Sequence, residues 1–351
     1  MTRRTAAFGV LKCVAFAAIA VAPAAQTQVL IQARLPAEQL PVAAPADRVQ
    51  GAPGQMRIAE RACRADYPQP LRQRIVEVAI QEWGFFGFGV VDQTRLDEGT
   101  RDTSPRQPRQ RRVSWLQRAE SERVADSIAG YWAVTSDGDW ILDRQNAIWN
   151  GPDGIGARWR DPWSAAFISW VMCESGLGEA AQFRRGIAHH TYIDQAIQAR
   201  DDPGSNAAYL AYDVGEQPVE PGDLLCSARR SAYRSIADRR QHLGVGVRSH
   251  CDIVVTVDAA NDRILAIGGN VRGAVNLKLL FANFVQRNGQ PAVDSVGLGR
   301  RAVFAHLKLR TARIEPDALQ RSPTLKALDA RSKAWLETRL RGDPPTPRPA
   351  S

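Results

Sequence analysis

The pattern of apolar and polar positions divides the chain into a first half with helical periodicity and a second half with strand periodicity. From Leu71 to Trp83, apolar residues recur every three or four positions, which predicts an amphipathic helix. The same spacing predicts a second helix from about Trp115 to Trp132 and strongly apolar helices over 162–176 and 189–199. The charged segment 92–112 and the twenty-odd residues after Trp132, which are rich in Asp, Gly and Asn, predict loops.

In the second half of the chain the apolar period falls to two, which is typical of β-strands. The predicted strands are Leu224–Cys226, Ile253–Val257, Ile264–Ile267, Ala274–Leu279 and Ala302–Leu309. A closing helix is predicted from Leu325 to Leu340. Helices followed by short strands in series predict an α+β domain with an antiparallel sheet.

The first 24 residues have the pattern of a secretory signal peptide. A positively charged head precedes the apolar run Val14–Val21, and the small residues Ala22-Pro23-Ala24 follow it. The run is shorter than the roughly 20 residues that span a bilayer, so an N-terminal anchor helix is the weaker alternative. We therefore expect an exported protein, periplasmic or secreted, with no integral membrane segment after processing.

Composition divides the rest of the chain into four parts. Residues 25–55 are rich in Ala, Pro and Gln and predict a flexible linker. Residues 56–312 predict a single domain, with a helical N-terminal part over about 56–150 and a core over about 160–312. We expect a C-terminal helical segment over 313–343 and a disordered tail over 344–351.

Composition and charge narrow the classes of function. Of 351 residues, 44% are apolar and nine are Trp, which excludes a fully disordered, coiled-coil or collagen-like chain. The formal net charge is +9, but acidic residues accompany the basic ones along most of the chain. Because no concentrated basic face results, we expect no nucleic-acid partner.

Four cysteines follow the predicted signal peptide, namely Cys63, Cys173, Cys226 and Cys251. An oxidising compartment favours disulfides, and four cysteines allow three pairings among which the sequence does not choose. Cys226–Cys251 is the pair that we single out, because both residues lie near the ends of neighbouring predicted strands. The cysteines and histidines lack the spacing of a metal site, so we expect no metal and no cofactor.

The apolar helix over 162–176 begins with the most informative stretch of the sequence. Asp161 is suited to cap this helix, Pro162 to its first position, and Ser164 to its first turn. Unpaired backbone N–H groups and the helix dipole favour negative charge there, so Ser164 is a candidate nucleophile. The alternative is that Ser164 is only a small polar residue near a cap.

Two strand positions complete a candidate catalytic group. His250 begins the strand that contains Ile253, and Asn270 ends the next one. A histidine and an amide on adjacent strands can face the start of a helix packed across them. Ser164, His250 and Asn270 then become nucleophile, general base and orienting group. His189, His190 and Tyr192 open the following helix and can line the same cleft, or form an ordinary helix start.

Three segments together carry a resemblance to a known family. They are Pro162–Trp170, Ala188–Ile193 and Gly268-Gly269-Asn270-Val271. Over roughly residues 71–309, the chain resembles the exported bacterial domain-of-unknown-function 2272 family, within the NlpC-type and CHAP papain-like amidases and peptidases. The resemblance implies a papain-like core of helices packed on an antiparallel sheet, with an N-terminal helical extension.

The same resemblance implies a function and shows two departures from the pattern. NlpC and CHAP enzymes carry Cys where this chain has Ser164, and the CHAP pattern places Glu where this chain has Gly268. We expect an envelope hydrolase of an amide or ester bond, with peptidoglycan peptides as candidate substrates and Trp163, His190 and Tyr192 as candidate substrate contacts. The alternative is a non-catalytic module, derived from a cysteine amidase, that binds cell-wall peptide in the cleft that corresponds to the amidase active site.

Overall fold

A computed structural model of the protein describes residues 30–64, 69–94, 118–228, 232–298 and 301–342. The helices are α1 (Leu71–Phe85), α2 (Arg118–Arg123), α3 (Ala125–Ala133), α4 (Gly138–Trp149), α5 (Ser164–Glu174), α6 (His190–Asp201), α7 (Ile236–Arg240), α8 (Ala318–Arg321), α9 (Pro323–Lys326) and α10 (Ala330–Leu340). The strands are β1 (Val49–Gln50), β2 (Arg57–Ile58), β3 (Val90–Gln93), β4 (Tyr209–Tyr212), β5 (Leu224–Ala228), β6 (Ser249–Asp258), β7 (Arg263–Val271), β8 (Ala274–Arg287), β9 (Gln290–Leu298) and β10 (Arg301–Leu309).

One mixed sheet of eight strands organises the fold, which is of the α+β class. The strand order is β3-β8-β7-β6-β5-β10-β4, and β9 pairs with both β8 and β10. Each neighbouring pair is antiparallel except β3 and β8, which are parallel. The prediction of a purely antiparallel sheet is therefore wrong at this edge. Strand β3 has only four residues and overlaps the charged segment that predicts a loop, so the apolar pattern did not reveal this parallel edge strand.

The two faces of the sheet bury different apolar clusters, as the two-residue period requires. In β6, Ile253 and Val255 pack on the helical side, whereas Val254 belongs to a second cluster on the opposite face. That second cluster includes Val293 and Val296 of β9, so β9 covers it. Helix α5 is buried along its whole length and packs on β6 and β7 from the helical side. The start of α5 is thereby fixed beside the sheet.

Residues 30–55, for which the composition predicts a flexible linker, make buried and ion-paired contacts in the structure. Leu40 is fully buried, and Arg34 Nε lies 2.6 Å from a carboxylate oxygen of Glu82 on α1. Arg48 is buried and forms an ion pair with Glu174 at the end of α5. The Ala- and Pro-rich composition predicted a tether because such a segment offers little apolar area of its own. These anchors instead use partners distant in the sequence.

The segment after the second predicted helix contains α4, where we predicted a loop. Ile141, Leu142 and Trp149 bury one face of α4. Asn146 accepts the backbone N–H of Met56 at 3.1 Å and donates to its carbonyl at 2.8 Å. The polar residues that favour turns in isolation therefore serve tertiary contacts here.

Several other boundaries differ from the predicted ones. The second predicted helix is divided into α2 and α3 at Val124, and the closing helix into α9 and α10. Strands β1, β2, β3, β4 and β9 were not predicted, and the predicted strands extend further than expected. The predicted signal peptide, the tail and most of the loop over 92–112 lie outside the described residues.

Two disulfides join the four cysteines. Cys226 and Cys251 are direct partners on β5 and β6 with Cα atoms 4.1 Å apart, which confirms the pair that we singled out. We call it the strand disulfide. Cys63 is bonded to Cys173 near the end of α5, with Cα atoms 4.9 Å apart, and we call this bond the helix disulfide. Among the described residues, no helix is both long and apolar enough to cross a membrane.

Candidate active site

Ser164 is the first residue of α5, and only 9% of its surface is exposed. The residue that precedes the helix is Trp163, and the helix gains no side-chain cap. The predicted cap, Asp161, instead accepts hydrogen bonds from Arg144 on α4. The first turn of α5 therefore lacks a capping side chain, and Ser164 stands among its orphan backbone N–H groups.

The hydroxyl of Ser164 forms a hydrogen bond with His189, the residue that precedes α6. Ser164 Oγ lies 2.7 Å from His189 Nε2, and both side chains are buried. On the other side of the ring, the backbone N–H of Cys251 lies 3.2 Å from Nδ1, and the hydroxyl of Tyr192 also contacts Nδ1. His189 is therefore held from two sides, by α5 in front and by β6 and α6 behind.

These contacts assign the proton of the His189 ring. A backbone N–H can only donate, so Nδ1 must offer its lone pair, and the neutral ring carries its proton on Nε2. Burial raises the pKa of Tyr192, as do the nearby charges of Asp252 and Tyr209, so its hydroxyl stays protonated and also donates to Nδ1. His189 Nε2–H consequently donates to Ser164 Oγ. In this tautomer, His189 cannot accept the proton of Ser164.

A second histidine is held by a buried charge cluster at the start of β6. His250 and Asp252 are two residues apart on one strand and share a face, and His250 Nε2 lies 2.9 Å from Asp252 Oδ1. The other carboxylate oxygen accepts from Lys278 Nζ of β8 at 2.7 Å. Burial alone would raise the pKa of Asp252, but the charges of Lys278 and His250 outweigh it and hold that pKa well below its usual value.

An ionised Asp252 decides which nitrogen of His250 carries the proton. The carboxylate accepts from Nε2–H, so the neutral ring of His250 has its lone pair on Nδ1. The rings of His189 and His250 are neighbours, with centroids 5.2 Å apart. The two neighbouring histidines are thus in complementary states, since His189 donates through Nε2 whereas the neutral ring of His250 has its proton on Nε2 and its lone pair on Nδ1.

Gly268 leaves the space that Asp252 fills. A Cβ atom at position 268 would lie 2.0 Å from Asp252 Oδ1 and 2.9 Å from His250 Nε2. No side chain fits there while the carboxylate is in place. The resemblance pointed to a missing acid at Gly268, and the structure places a carboxylate from the neighbouring strand against His250.

The three residues of the predicted group do not form a simple chain of contacts. The hydrogen bond found for Ser164 is with His189, whereas His250 lies beside His189 and bonds to Asp252. Asn270 is half-buried near the end of β7 with a positive φ of 54°, a left-handed conformation that Asn tolerates better than most residues. Among the described residues, no hydrogen bond joins its side chain to either histidine.

Two of the three predicted substrate contacts belong to the core. Trp163 is 2% exposed, and its ring centroid lies 5.8 Å from those of both Phe86 and Tyr131. Tyr192 is 1% exposed and orients His189. His190 is half-buried, burial lowers its pKa, and its Nδ1 has no hydrogen-bond partner among the described residues. Of these three side chains, only that of His190 is partly exposed.

Sequence reasoning missed the roles of His189 and Asp252. The sequence offers His189 either as a cleft residue or as part of an ordinary helix start, because nothing in it couples His189 to Ser164, 25 residues earlier. The proximity of Asp252 to His250 could have been predicted, since a residue two positions after a histidine on a strand lies on the same face of the sheet. Among the residues that the structure describes, no group of three or more His, Cys, Asp or Glu side chains is arranged to hold a metal ion.

The sheet, the buried helix and the paired histidines define an α+β protein with a polar site at the N-terminus of a buried helix. A sequence profile described as "uncharacterized protein conserved in bacteria (DUF2272)" matches residues 115–297. The chain therefore belongs to the DUF2272 family. The matched segment includes Ser164, both histidines of the site and Asp252. No curated protein and no solved structure matched the chain.

Proposed function

We propose that the protein is an exported hydrolase that cleaves an amide or ester bond of the cell envelope, with Ser164 as its nucleophile. The observation that carries this proposal is the contact of Ser164 Oγ with His189, at the uncapped start of a buried helix and beside the His250–Asp252 pair. A nucleophile at the start of a helix packed across antiparallel strands is also the arrangement of papain-like NlpC and CHAP enzymes.

The protonation states of His189 and His250 allow each residue of the site to be given a role in the proposed reaction. His250, with its lone pair on Nδ1, accepts the hydroxyl proton as Ser164 Oγ attacks the carbonyl carbon. Asp252 stabilises the resulting imidazolium, which then returns the proton to the leaving amine or alcohol. Water repeats the sequence on the acyl-enzyme and releases the acid. Asp252 thus replaces Asn270 as the residue that orients the base.

His189 has a supporting role in this scheme. Its Nε2–H donates to Oγ, which lowers the proton affinity of that oxygen and helps the hydroxyl to ionise. Backbone N–H groups in the first turn of α5 are suited to hold the oxyanion of the tetrahedral intermediate. Tyr192 and the backbone of Cys251 keep the ring of His189 in the required tautomer.

Export and substrate are part of the same proposal. Two disulfides join four cysteines, and such bonds persist in oxidising compartments outside the cytoplasm. The pattern of the first 24 residues favours the same destination. Peptidoglycan peptides are the candidate substrates because the amidases that the chain resembles cut them.

One observation favours a second candidate, a non-catalytic module that binds cell-wall peptide. The partner found for Ser164 is a hydrogen-bond donor, so the serine is paired with a group that cannot act as its base in this tautomer. An alcohol is also far harder to ionise than the thiol of the cysteine amidases. A binding module would retain the cleft without needing that ionisation.

A fluorophosphonate probe separates the two candidates, because it labels only an activated serine. We expect labelling of the folded, disulfide-bonded protein and its loss in Ser164→Ala. His250→Ala should lower the labelling rate by about 10²–10⁴-fold, the usual range for losing a general base.

His189→Gln is the matched control, because a Gln amide can donate to Ser164 but cannot act as a base. Labelling that survives in this variant and disappears in His250→Ala supports the assigned roles. Labelling lost in His189→Gln and retained in His250→Ala would make His189 the base. If the wild-type protein is never labelled, the hydrolase proposal fails and the non-catalytic binding module is the remaining candidate.

A further inference from the structure

A cleft of about 500 Å³ opens between the end of α3, the start of α4 and the segment that precedes α6. Three of the side chains that line it are the arginines Arg61, Arg184 and Arg185, whereas Asp139 is its one acidic lining residue. Val134 and Phe183 lie beneath this lining as apolar core residues, of which only 5% and 2% of the surface is exposed. The lining thus combines a formal net charge of +2 with an apolar surface.

Arg185 is held in this cleft by neutral groups. Its Nε donates to the carbonyl oxygen of Val134 at 3.0 Å, and its Nη1 donates to the carbonyls of Leu177 and Gly178. No carboxylate forms an ion pair with Arg185 among the described residues. Burial lowers the pKa of this half-buried guanidinium, and the nearby charge of Arg48 lowers it further. The charge of Glu179 opposes these effects only in part. The side chain is therefore fixed in place by neutral groups, without a carboxylate in direct contact.

The other two arginines differ in how far they are already paired. Arg61 contacts Asp139 at 2.6 Å and donates to the carbonyls of Ala133 and Thr135. Arg184 is exposed, and its guanidinium has no partner among the residues that the structure describes. The guanidinium of Arg184 and the Nη2 group of Arg185 thus remain available to an anion that enters the cleft.

We propose that this cleft binds a ligand through a carboxylate, which accepts from Arg184 and Arg185, while an apolar group of the ligand packs on Val134 and Phe183. Arginine presents planar, paired N–H donors that match the two oxygens of a carboxylate. A dianionic phosphate fits less well, because it must shed more water beside the apolar walls and approach Asp139.

The cleft and the candidate active site share an aromatic wall. The ring of Phe183 stacks on Tyr192 with centroids 4.9 Å apart, and the hydroxyl of Tyr192 contacts His189. A ligand in the cleft therefore lies on the far side of the residues that orient His189. Carboxylate binding requires no reaction at Ser164, so it can be measured whether or not the protein is a hydrolase.

Calorimetric titration of the full disulfide-bonded chain with N-acetylalanine tests the site. Its uncharged amide serves as the ligand control. We expect the acid to bind at least about tenfold more tightly than the amide, since hydrogen bonds to charged groups contribute about 1.5–3 kcal/mol. Arg184→Ala should raise the Kd of the acid by about tenfold or more. Arg158→Ala removes an exposed arginine outside the cleft and should leave the Kd unchanged.

Arg185→Lys keeps the charge but loses both the Nη2 donor and the contacts with backbone carbonyls that fix its position, so its Kd should also rise. Equal Kd values for acid and amide, or an Arg184→Ala Kd equal to that of the wild type, would overturn the proposal. Inorganic phosphate that binds more tightly than N-acetylalanine would overturn the carboxylate assignment. If Arg185→Lys does not fold, Arg184→Ala decides alone, because that side chain is exposed and supports no contact within the described fold.

Discussion

Replacing Gly268 with alanine should disrupt the buried charge cluster at the start of β6. The added Cβ would lie 2.0 Å from Asp252 Oδ1, whereas real Cβ contacts essentially never fall below 3.0 Å. Asp252 cannot retreat easily, because its other oxygen is held by Lys278 at 2.7 Å and its backbone pairs with Leu225 on β5. A movement of about 1 Å in a closely packed interior must therefore come from the strands themselves.

The size of the effect follows from three contributions, of which two destabilise the protein and one stabilises it. Overpacking a well-packed interior costs about 1–3 kcal/mol. Weakening the contacts of Asp252 with His250 and Lys278 adds to this, since breaking a buried ion pair outright costs about 3–5 kcal/mol. Alanine is favoured over glycine within a strand by about 0.5–1 kcal/mol, which offsets part of the cost. We expect Gly268→Ala to lower the free energy of unfolding by about 2–4 kcal/mol.

Urea unfolding followed by the fluorescence of the nine tryptophans measures this loss with the disulfides intact. A double-mutant cycle then locates the clash. In an Asp252→Ala background the shortest contact is gone and His250, at 2.9 Å, is no longer held by the carboxylate, so the cost of Gly268→Ala should fall clearly below its wild-type value. In an Asp252→Asn background the volume remains, and the cost should persist. Gly246→Ala, whose Cβ would meet its nearest neighbour at 3.8 Å, is the control and should be nearly neutral.

The Asp252→Ala background decides the outcome. If Gly268→Ala costs as much there as in the wild type, the strain does not involve the carboxylate, and the idea that Gly268 makes room for Asp252 is wrong. A fall in the probe-labelling rate of Gly268→Ala that exceeds any loss of folded protein would link the same geometry to His250.

Three further predictions concern acid stability, the disulfides and the core. Burial raises the pKa of Asp223, but the hydrogen bond and charge of His306 outweigh burial and hold that pKa below its ordinary 3.8. The ionised Asp223 therefore stabilises the fold above about pH 4, and this stabilisation is lost as the pH falls further. In urea unfolding, the free energy of unfolding of Asp223→Asn should fall less steeply at acidic pH than that of the wild type. An unchanged dependence on pH would refute this role of Asp223. Serine replacement of the helix disulfide should lower the free energy of unfolding by about 5 kcal/mol, because its two cysteines are 110 residues apart. The same replacement of the strand disulfide, whose cysteines are 25 residues apart, should lower it by about 3.5 kcal/mol. Thermal unfolding of the two variants in the reverse order would contradict this loop-length argument. Trp163→Ala should lower the free energy of unfolding by about 3–5 kcal/mol, and a loss under about 1 kcal/mol would show that this ring is not a core residue.

Local pattern was enough to predict the elements whose own residues bury them. Helices α1 and α5 and most strands of the sheet carry a clear apolar period. Helix α4 does not, because its stability depends on contacts with residues near Met56 that composition does not reveal. The packing of residues 30–55 likewise depends on single partners, such as Glu82 for Arg34.

The sequence predicted where the candidate site lies better than it predicted which of its side chains form hydrogen bonds with one another. Ser164 and His250 were found because each sits at the end of a recognisable element. The contact of Ser164 with His189 depends on how the chain enters α6, and no local pattern encodes that. Asp252 could have been found, because it follows His250 by two residues on a strand. The proton state of His189 required the backbone N–H of Cys251, which only three-dimensional coordinates provide.

The position of β10 bears on which fragment of this chain could be excised and still fold. The family match ends at residue 297, yet β10 begins at Arg301 and lies between β5 and β4. Helix α1 and strand β3 precede the match, although they pack on α5 and pair with β8. A fragment cut at residues 115 and 297 would leave β5 with an open edge, separate β4 from the sheet and uncover the apolar side of α5. The boundaries of the shared sequence are therefore narrower than those of the cooperative folding unit, and expression of the family segment alone should yield an aggregating chain.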